Sequence, residues 1–198
     1  MDAEVTNTRQ RIVDQATELF YARGYTDVGV QQICKAANVK KGSFYHFFPS
    51  KQALALAVID AFDEIFLHRI LAETLKENIP PLDRLSLLIE KKYAFHKEML
   101  QSKGRMLGCP YGNMSSEMSV LDPIVTERLN KSFEHILAVL EGLIAQAEEC
   151  GDIPPQSSAR ESAESLFAYL EGVNLMAKSR NDPELFLQLG KRASHLLK

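Results

Sequence analysis

The side chains best suited to bind a charged partner lie in a short basic stretch near the amino terminus. Between Val28 and Lys51 the chain has four lysines and no aspartate or glutamate, so all 26 acidic residues lie elsewhere. The whole chain nevertheless has a formal net charge of −3. A basic segment on an acidic chain can neutralise phosphates while the rest of the surface resists non-specific binding. A solvated, lysine-rich face is the alternative interpretation.

Helical spacing places several polar side chains of this stretch on one arc. Lys41 can reach a phosphate or a base, Gly42 allows close approach, and Ser43, Tyr45 and His46 offer hydrogen bonds. The aromatic residues predicted to pack inward beside them are Phe44, Phe47 and Phe48. Burying the polar residues instead would leave hydrogen-bonding groups without evident partners. The arc is therefore predicted to face nucleic acid.

The cysteines offer a second kind of chemistry. They are Cys34, Cys109 and Cys150. An odd number without a Cys-x-x-Cys pair argues against a disulfide framework and a structural zinc site, and we expect no metal or cofactor. Two glycines and a proline interrupt the helical pattern between Gly108 and Met118, which predicts a broken helix lining a cavity.

Composition is that of an ordinary soluble globular protein of 198 residues, 45% hydrophobic and 25% charged. Apolar residues recur at helical spacing almost throughout, whereas strict alternation is scarce. These patterns predict an all-α fold. No apolar run is long enough to cross a bilayer, and the acidic amino terminus lacks the features of a secretory signal. A cytoplasmic location is therefore expected.

Caps, glycines and prolines set the predicted helix boundaries. The first helix is predicted from Thr8, capped by Asn7, to Arg23, and a long helix from Ser50 to Asn78. The other predicted helices are 30–37, 41–47, 82–101, 105–118 with a break, 123–149, 159–179 and 183–197. Two short helices joined by a tight turn, after a supporting helix, form a helix-turn-helix layout in which the second short helix enters the major groove.

The block Ala36–Lys51 (AANVKKGSFYHFFPSK), preceded by Gly24-Tyr25 and Val30-Gln31-Gln32-Ile33, resembles the amino-terminal DNA-binding domain of TetR-family transcriptional regulators. The resemblance covers about the first quarter of the chain. The positions that depart from the family's usual residues are Gly29 (Ser or Thr), Cys34 (Ala) and Asn38 (Gly). Glycine can occupy a helix cap and asparagine a left-handed turn, so both backbone functions have a physical substitute.

This resemblance implies a DNA-binding domain at 1–50 and a helical, ligand-sensing and dimerising domain at 51–198, connected by the long helix 51–78. The residues it places against DNA are Lys40, Lys41, Gly42, Ser43, Tyr45, His46 and Lys51. It also implies a dimer that represses transcription from a palindromic operator and is released by a small-molecule inducer.

Two surfaces are predicted in the second domain. A stripe of mostly small side chains on the eighth helix, with apolar residues of the last helix, is predicted to form a homodimer four-helix bundle. Its members are Ser165, Ala168, Tyr169, Gly172, Met176, Leu185, Leu189, Ala193 and Leu196. Packing within one chain is the alternative. A pocket for an apolar molecule with a few polar groups is predicted from Tyr93, His96, Met99, Cys109, Tyr111, Asn113, Phe133 and Asn174. A core role is favoured for His96, because a single histidine on an apolar face is more often a packed residue.

The Gly108-Cys109 segment also resembles that of a TetR subgroup with repressors of the N-ethylmaleimide-responsive type, in which a cysteine at this position is modified and DNA is released. A thiolate favoured by a helix N-terminus, Lys103 or Arg105 would suit that role. The alternative sensing mode is a reversible apolar ligand beside an unreactive Cys109. An enzyme pairing Cys109 with His96 is an alternative that no catalytic motif in the sequence supports. A purely structural helical protein is a further alternative, and it leaves the basic arc unexplained.

Overall fold

A computed structural model of the chain describes residues 2–71, 74 and 78–197. In this part of the chain there are nine α-helices and no strand, which confirms the predicted all-α fold. The helices are α1 (Asp2–Arg23), α2 (Val30–Ala36), α3 (Lys41–Phe47), α4 (Lys51–Phe66), α5 (Pro81–Lys103), α6 (Pro110–Met118), α7 (Pro123–Glu149), α8 (Ala159–Arg180) and α9 (Glu184–Gly190). None of the helices in these described ranges is long and apolar enough to span a membrane.

Local capping explains why several helices begin where the sequence predicted. The Ser50 hydroxyl accepts a hydrogen bond from the Ala53 amide at the start of α4 (3.0 Å). The Ser158 hydroxyl does the same for the Glu161 amide at the start of α8 (3.2 Å). At the start of α7, one Asp122 carboxylate oxygen accepts two amides of the first turn, at 3.0 and 3.1 Å. Each cap satisfies an amide that has no partner within its own helix.

Other boundaries differ from prediction. α1 begins at Asp2, so Asn7 lies inside the helix and is not its cap. The predicted helix 105–118 begins only at Pro110, because proline suits a first turn and Gly108 takes a positive φ of 80°. The predicted last helix is also interrupted: α9 ends at Gly190 and a 3₁₀ turn follows at Ala193–Leu197.

The predicted long helix from Ser50 to Asn78 is shorter in the structure. α4 ends at Phe66 and a π-helical turn continues to Leu71. Residues 72, 73 and 75–77 lie outside the described part, and Asn78 lies in a turn. The predicted helix therefore holds as an α-helix only up to Phe66.

The chain divides into two compact units. Unit 1 comprises Met1–Glu64 and Pro110–Asn130, and unit 2 comprises Ile65–Cys109 and Lys131–Lys198. This division differs from the predicted boundary after residue 50, because α4 and residues 110–130 pack with the amino-terminal helices. Unit 1 buries side chains from each of its first four helices, including Ile12, Ala16, Ile33, Phe44, Leu54 and Val58.

Unit 2 is built around an apolar core contributed by α5, α7, α8 and α9. Its buried members include Leu88, Ile89, Leu140, Ile144, Leu166, Leu170, Val173 and Phe186. The predicted dimer residues Leu185 and Ala193 are buried within unit 2 itself, which favours the alternative that they pack within one chain. Tyr169 and Leu189 pack against the same core, and the Tyr169 hydroxyl donates to the Leu189 carbonyl (2.9 Å). The apolar side of α9 therefore serves the fold of one chain.

Candidate nucleic-acid interface and sensing residues

Helix α3 presents the predicted polar arc to solvent. Lys41, Gly42 and His46 are exposed, and Tyr45 has 53% of its surface accessible. A Cβ placed on Gly42 would meet no atom within 4 Å, so a partner can approach the helix closely here. Ser43 is half-buried.

The opposite side of α3 is anchored by aromatic rings. Phe44 and Phe48 are buried as predicted, with ring centroids 6.0 Å apart, whereas Phe47 is only half-buried. The edge of Tyr45 also meets the Phe44 ring, at a centroid distance of 5.1 Å. Because these rings are packed, the exposed arc is carried on a rigid support.

The segment from the N-cap of α2 to the turn before α3 accommodates each residue that departs from the family pattern. Asn38 takes the left-handed conformation with φ of 53°. The Gly29 amide donates to the Gln32 side chain (2.8 Å), so the cap comes from the third helical position instead of from the side chain of the N-cap residue. Cys34 is buried, and burial raises the pKa of its thiol, so this cysteine is a packed residue.

Two lysines stand at helix starts, Lys40 before α3 and Lys51 as the first residue of α4, and their surroundings differ. Lys40 is exposed and precedes α3 as its N-cap residue. The Lys51 ammonium lies 4.0 Å from the centre of the Tyr25 ring and is half-buried. Burial lowers the pKa of Lys51, and the charges of Glu117 and Asp27 oppose that change. Lys51 is thus held against an aromatic ring at the start of α4, where the family resemblance implies a phosphate contact.

An arginine that sequence reasoning did not select lies beside the end of α3. The Arg9 guanidinium is 5.2 Å from the centre of the Phe48 ring, and Arg9 itself is exposed. This contact adds a cation to the border of the exposed arc. Arg9 lies outside the acid-free segment, so no local sequence signal connected it with α3.

Unit 1 also contains contacts that join its distant segments. A Glu117 carboxylate oxygen accepts hydrogen bonds from the Thr26 amide (2.9 Å) and hydroxyl (3.1 Å) in the turn between α1 and α2. Gly24 faces the same carboxylate: it has φ of 88°, and an added Cβ would clash with Glu117 Oε1. Farther along, the Gln52 side chain donates to Asp122 (2.8 Å). These carboxylates attach residues 110–130 to both ends of the helix-turn-helix.

A second polar network extends these attachments along α4. Arg128 on α7 contacts the carboxylates of Asp60 and Asp63. The Tyr111 hydroxyl donates to Asp63 (2.8 Å), and its ring is buried against Phe62 at a centroid distance of 6.1 Å. Tyr111 and its neighbour Asn113 therefore belong to unit 1, whereas the other residues of the predicted pocket belong to unit 2.

Two of the predicted sensing residues meet in the core of unit 2. His96 Nε2 lies 2.9 Å from Asn174 Oδ1, and both side chains are only 2% exposed. Burial lowers the pKa of His96 to about 4, with a further contribution from the charge of Lys92. The favoured core position of His96 agrees with this burial.

The remaining predicted pocket residues are more scattered. The Phe133 ring packs against Phe167 of α8 at 5.5 Å. The Tyr93 hydroxyl points to an exposed site where it donates to Glu184 and accepts from Lys97. Met99 is half-buried. Tyr93 therefore does not present its hydroxyl to the His96–Asn174 pair, because that hydroxyl is engaged at the surface.

Cys109 lies in the non-helical connection between α5 and α6 and is half-buried. α8 holds this connection: Asn181 Oδ1 accepts the Met106 amide (2.7 Å), and Gly108 packs against the side chain of Lys178. A Cβ on Gly108, whose φ is 80°, would lie 2.9 Å from the Lys178 Cδ atom. The Lys178 side chain of α8 thus packs beside Gly108, whereas the predicted cations Lys103 and Arg105 are exposed.

A cleft of about 860 Å³ lies in unit 2 between the start of α5 and the second half of α7. Arg84, Gly142, Gln146 and Cys150 contribute to its lining, and none of the predicted pocket residues does. Arg84 is buried and donates to the Gln146 side chain (2.9 Å) and to the Ile79 carbonyl (2.6 Å). Sequence reasoning missed this cleft because its walls come from segments about 60 positions apart.

A unit of three packed helices that exposes a basic arc on its third helix is the architecture of a helix-turn-helix DNA-binding protein. Residues 12–58 match the family of "Bacterial regulatory proteins, tetR family", and residues 81–190 match the "Tetracyclin repressor-like, C-terminal domain". The chain belongs to the TetR family and is a DNA-binding transcriptional regulator.

Known proteins are similar to this one in sequence and in structure over nearly the whole chain. The transcriptional repressor DhaR of Mycobacterium sp. (strain GP1) is 33% identical, over 90% of this chain and 86% of its own length. The repressor NemR of Escherichia coli (strain K12) is 27% identical, over 87% of this chain and 84% of its own. The crystal structure of regulatory protein TetR from Rhodobacter sphaeroides superposes with a TM-score of 0.84 at 29% identity, covering 96% of this chain and 98% of that one.

Proposed function

We propose that this regulator is a repressor that binds a palindromic operator as a homodimer, with α3 of each protomer in the major groove. The observation that carries the proposal is the exposed arc of Lys41, Gly42, Tyr45 and His46 on a helix whose opposite side is packed. Lys41 and Tyr45 are one helical turn apart, as are Gly42 and His46, so all four face one groove.

The roles within the arc follow from the chemistry of each side chain. Lys40 and Lys41 neutralise phosphates or contact guanine, and Tyr45 and His46 hydrogen-bond to base edges or phosphates. Gly42 allows the helix to approach the DNA, and Ser43 contributes from the border of the arc. Lys51 supports the interface from the start of α4, where its ammonium also contacts the Tyr25 ring.

The dimer that the palindrome requires has a surface on α8. Ser165, Ala168, Gly172 and Met176 are exposed on this helix, and Met176 has 40% of its surface accessible. Small side chains allow a partner helix to approach closely, and Leu196 near the carboxyl terminus extends the apolar area. A two-fold arrangement places the recognition helices about 34–36 Å apart, one turn of DNA.

Release of the operator is proposed to follow a change in unit 2, by one of two routes. In the first, an inducer binds near the His96–Asn174 pair. In the second, an electrophile or oxidant modifies Cys109, which immediately precedes α6. The second route is supported by the position of Cys109 at a helix start and by the half-exposed state of its side chain.

Binding of fluorescently labelled upstream DNA, measured by anisotropy against scrambled DNA, tests the function. We expect a Lys41→Ala, Tyr45→Ala double variant to lose sequence-specific binding while its circular dichroism stays unchanged. Lys131→Ala removes one exposed lysine from α7 and is the matched control for charge. Unchanged binding by the double variant would refute the assignment of α3.

Repeating the titration after treatment with N-ethylmaleimide separates the two routes of release. Loss of binding in the wild type but not in Cys109→Ser would assign sensing to the thiol. Binding that survives treatment would favour a reversible ligand. Catalysis by a Cys109–His96 pair is disfavoured because His96 is paired with Asn174 and its low pKa makes it a weak base at neutral pH.

A further inference from the structure

The polar pair in the core of unit 2 has a defined hydrogen-bond direction. The Asn174 side-chain nitrogen donates to Glu171 Oε1 (3.0 Å), so its oxygen is the atom that faces His96. An amide oxygen only accepts, and therefore His96 Nε2 must carry a proton and donate. These hydrogen bonds form a chain that leads from Glu171 on the surface of α8, through Asn174, to His96 on the buried side of α5.

The other nitrogen of the His96 ring, Nδ1, takes no part in this chain of hydrogen bonds. Of the buried side-chain polar atoms in the described residues, His96 Nδ1 has no hydrogen-bond partner. The ring is neutral near pH 7, because burial lowers the pKa of His96 to about 4. With the proton on Nε2, Nδ1 presents a bare lone pair and can only accept. A buried acceptor without a donor is unfavourable and calls for an explanation.

The surroundings of the ring are aromatic. The centroids of Phe95 and Phe186 lie 5.6 and 5.5 Å from that of His96. On α8, Phe167 precedes Asn174 by two helical turns and packs against Phe133, so an aromatic pair and the polar pair lie on the same side of this helix.

One turn beyond Asn174, the same side of α8 reaches the segment that carries Cys109. Lys178 follows Asn174 by four residues, and its side chain packs against Gly108. A molecule held at His96 would therefore act on the helix that supports the connection between α5 and α6.

We propose that His96 Nδ1 is the hydrogen-bond acceptor for the effector of this regulator, and that the effector is a neutral molecule with a hydroxyl or N–H donor on an apolar, preferably aromatic, body. This inference rests on the proposed function and specifies its ligand. A carboxylate or a ketone offers no donor to Nδ1 and gains nothing there. The Nε2 bond to Asn174 keeps the tautomer that makes Nδ1 an acceptor.

Phenol and fluorobenzene form a matched pair of probes, because they are similar in size and differ in the hydroxyl donor. We expect the wild type to bind phenol at least about tenfold more tightly than fluorobenzene, as one hydrogen bond in a buried site allows. In His96→Phe, which keeps an aromatic ring and removes the acceptor, the preference should disappear. His135→Phe, an exposed histidine of α7, should retain it.

Nitrogen-15 NMR of the histidine rings in the full-length wild type provides a readout that needs no variant. We expect the His96 Nδ1 resonance to shift in a saturable way with phenol and to remain unchanged with fluorobenzene. Equal affinity for the two probes, no saturable binding of phenol at millimolar concentrations, or a phenol preference that persists in His96→Phe would each overturn the inference. A chemical shift that shows Nδ1 to be hydrogen-bonded already in the free protein, and that does not change with phenol, would also overturn the inference, in favour of an internal water.

Operator binding without any probe distinguishes failure of this inference from failure of the proposed function. Specific DNA binding, together with equal affinities for phenol and fluorobenzene, would overturn only the assignment of His96. Absence of specific DNA binding would overturn the proposed function itself.

Discussion

Removing the Glu117 carboxylate should loosen unit 1 by a predictable amount. Glu117→Ala deletes the acceptor for both the amide and the hydroxyl of Thr26. Hydrogen bonds to charged groups contribute about 1.5–3 kcal/mol, but these are exposed and compete with water, so we expect a loss of about 1–2 kcal/mol for the two together. For a chain of this size, that corresponds to a decrease in Tm of about 2–8 °C.

The sharper test combines this change with one at Gly24. Gly24→Ala introduces a Cβ at a φ of 88°, and this Cβ would clash with Glu117 Oε1 and move the carboxylate away from Thr26, so the change is unfavourable for two separate reasons. The positive φ alone costs about 1 kcal/mol and remains in any background. The clash should vanish when Glu117 is alanine. We therefore expect the double variant to be more stable than the sum of the single changes predicts, by about 1 kcal/mol.

Urea unfolding followed by circular dichroism measures these free energies, with equal m-values as the check on a common unfolded state. Glu64→Ala, an exposed glutamate at the end of α4, is the control and should change stability by less than about 0.5 kcal/mol. If the Glu117→Ala and Gly24→Ala effects add within about 0.3–0.5 kcal/mol, the two residues do not meet in solution and the reasoning is refuted.

Four further outcomes are expected. Lys41→Ala should reduce the slope of log K against log salt for operator binding by about 1, and an unchanged slope would exclude a phosphate contact. Met176→Glu should shift the protein from dimer to monomer in sedimentation velocity, and a persistent dimer would place the interface elsewhere. Ser50→Ala should lower the free energy of unfolding by about 1 kcal/mol through loss of the α4 cap, and an unaltered urea midpoint would contradict that. Because the pKa of His96 falls from 6.5 to about 4 on folding, the unfolded state binds more protons between these values. Wild-type stability should therefore fall relative to His96→Phe as the pH decreases from 6.5 to 4, by up to about 1.4 kcal/mol for each pH unit, and parallel pH profiles would disprove the burial.

Local chemistry in the sequence was enough to predict much of the framework. Ser50 and Ser158 cap the helices they precede, and Asn38 takes the left-handed turn that only a few residue types tolerate. The arc on α3 was predictable for the same reason, because helical periodicity within seven residues decides which side chains share a face. These signals act over one or two turns and need no knowledge of the rest of the fold.

The tertiary structure decided which apolar faces meet. An amphipathic pattern shows that a helix buries one side but does not identify its partner, and so Leu185 and Ala193 were predicted in a dimer surface although unit 2 buries them. The contact between Glu117 and Thr26 joins residues 91 positions apart, and no periodicity connects them. Lys51 could be placed on the Tyr25 ring only once the turn after α1 and the start of α4 were packed together. Short-range hydrogen bonding is encoded in neighbouring residues, whereas the pairing of distant surfaces depends on the packing of the whole chain.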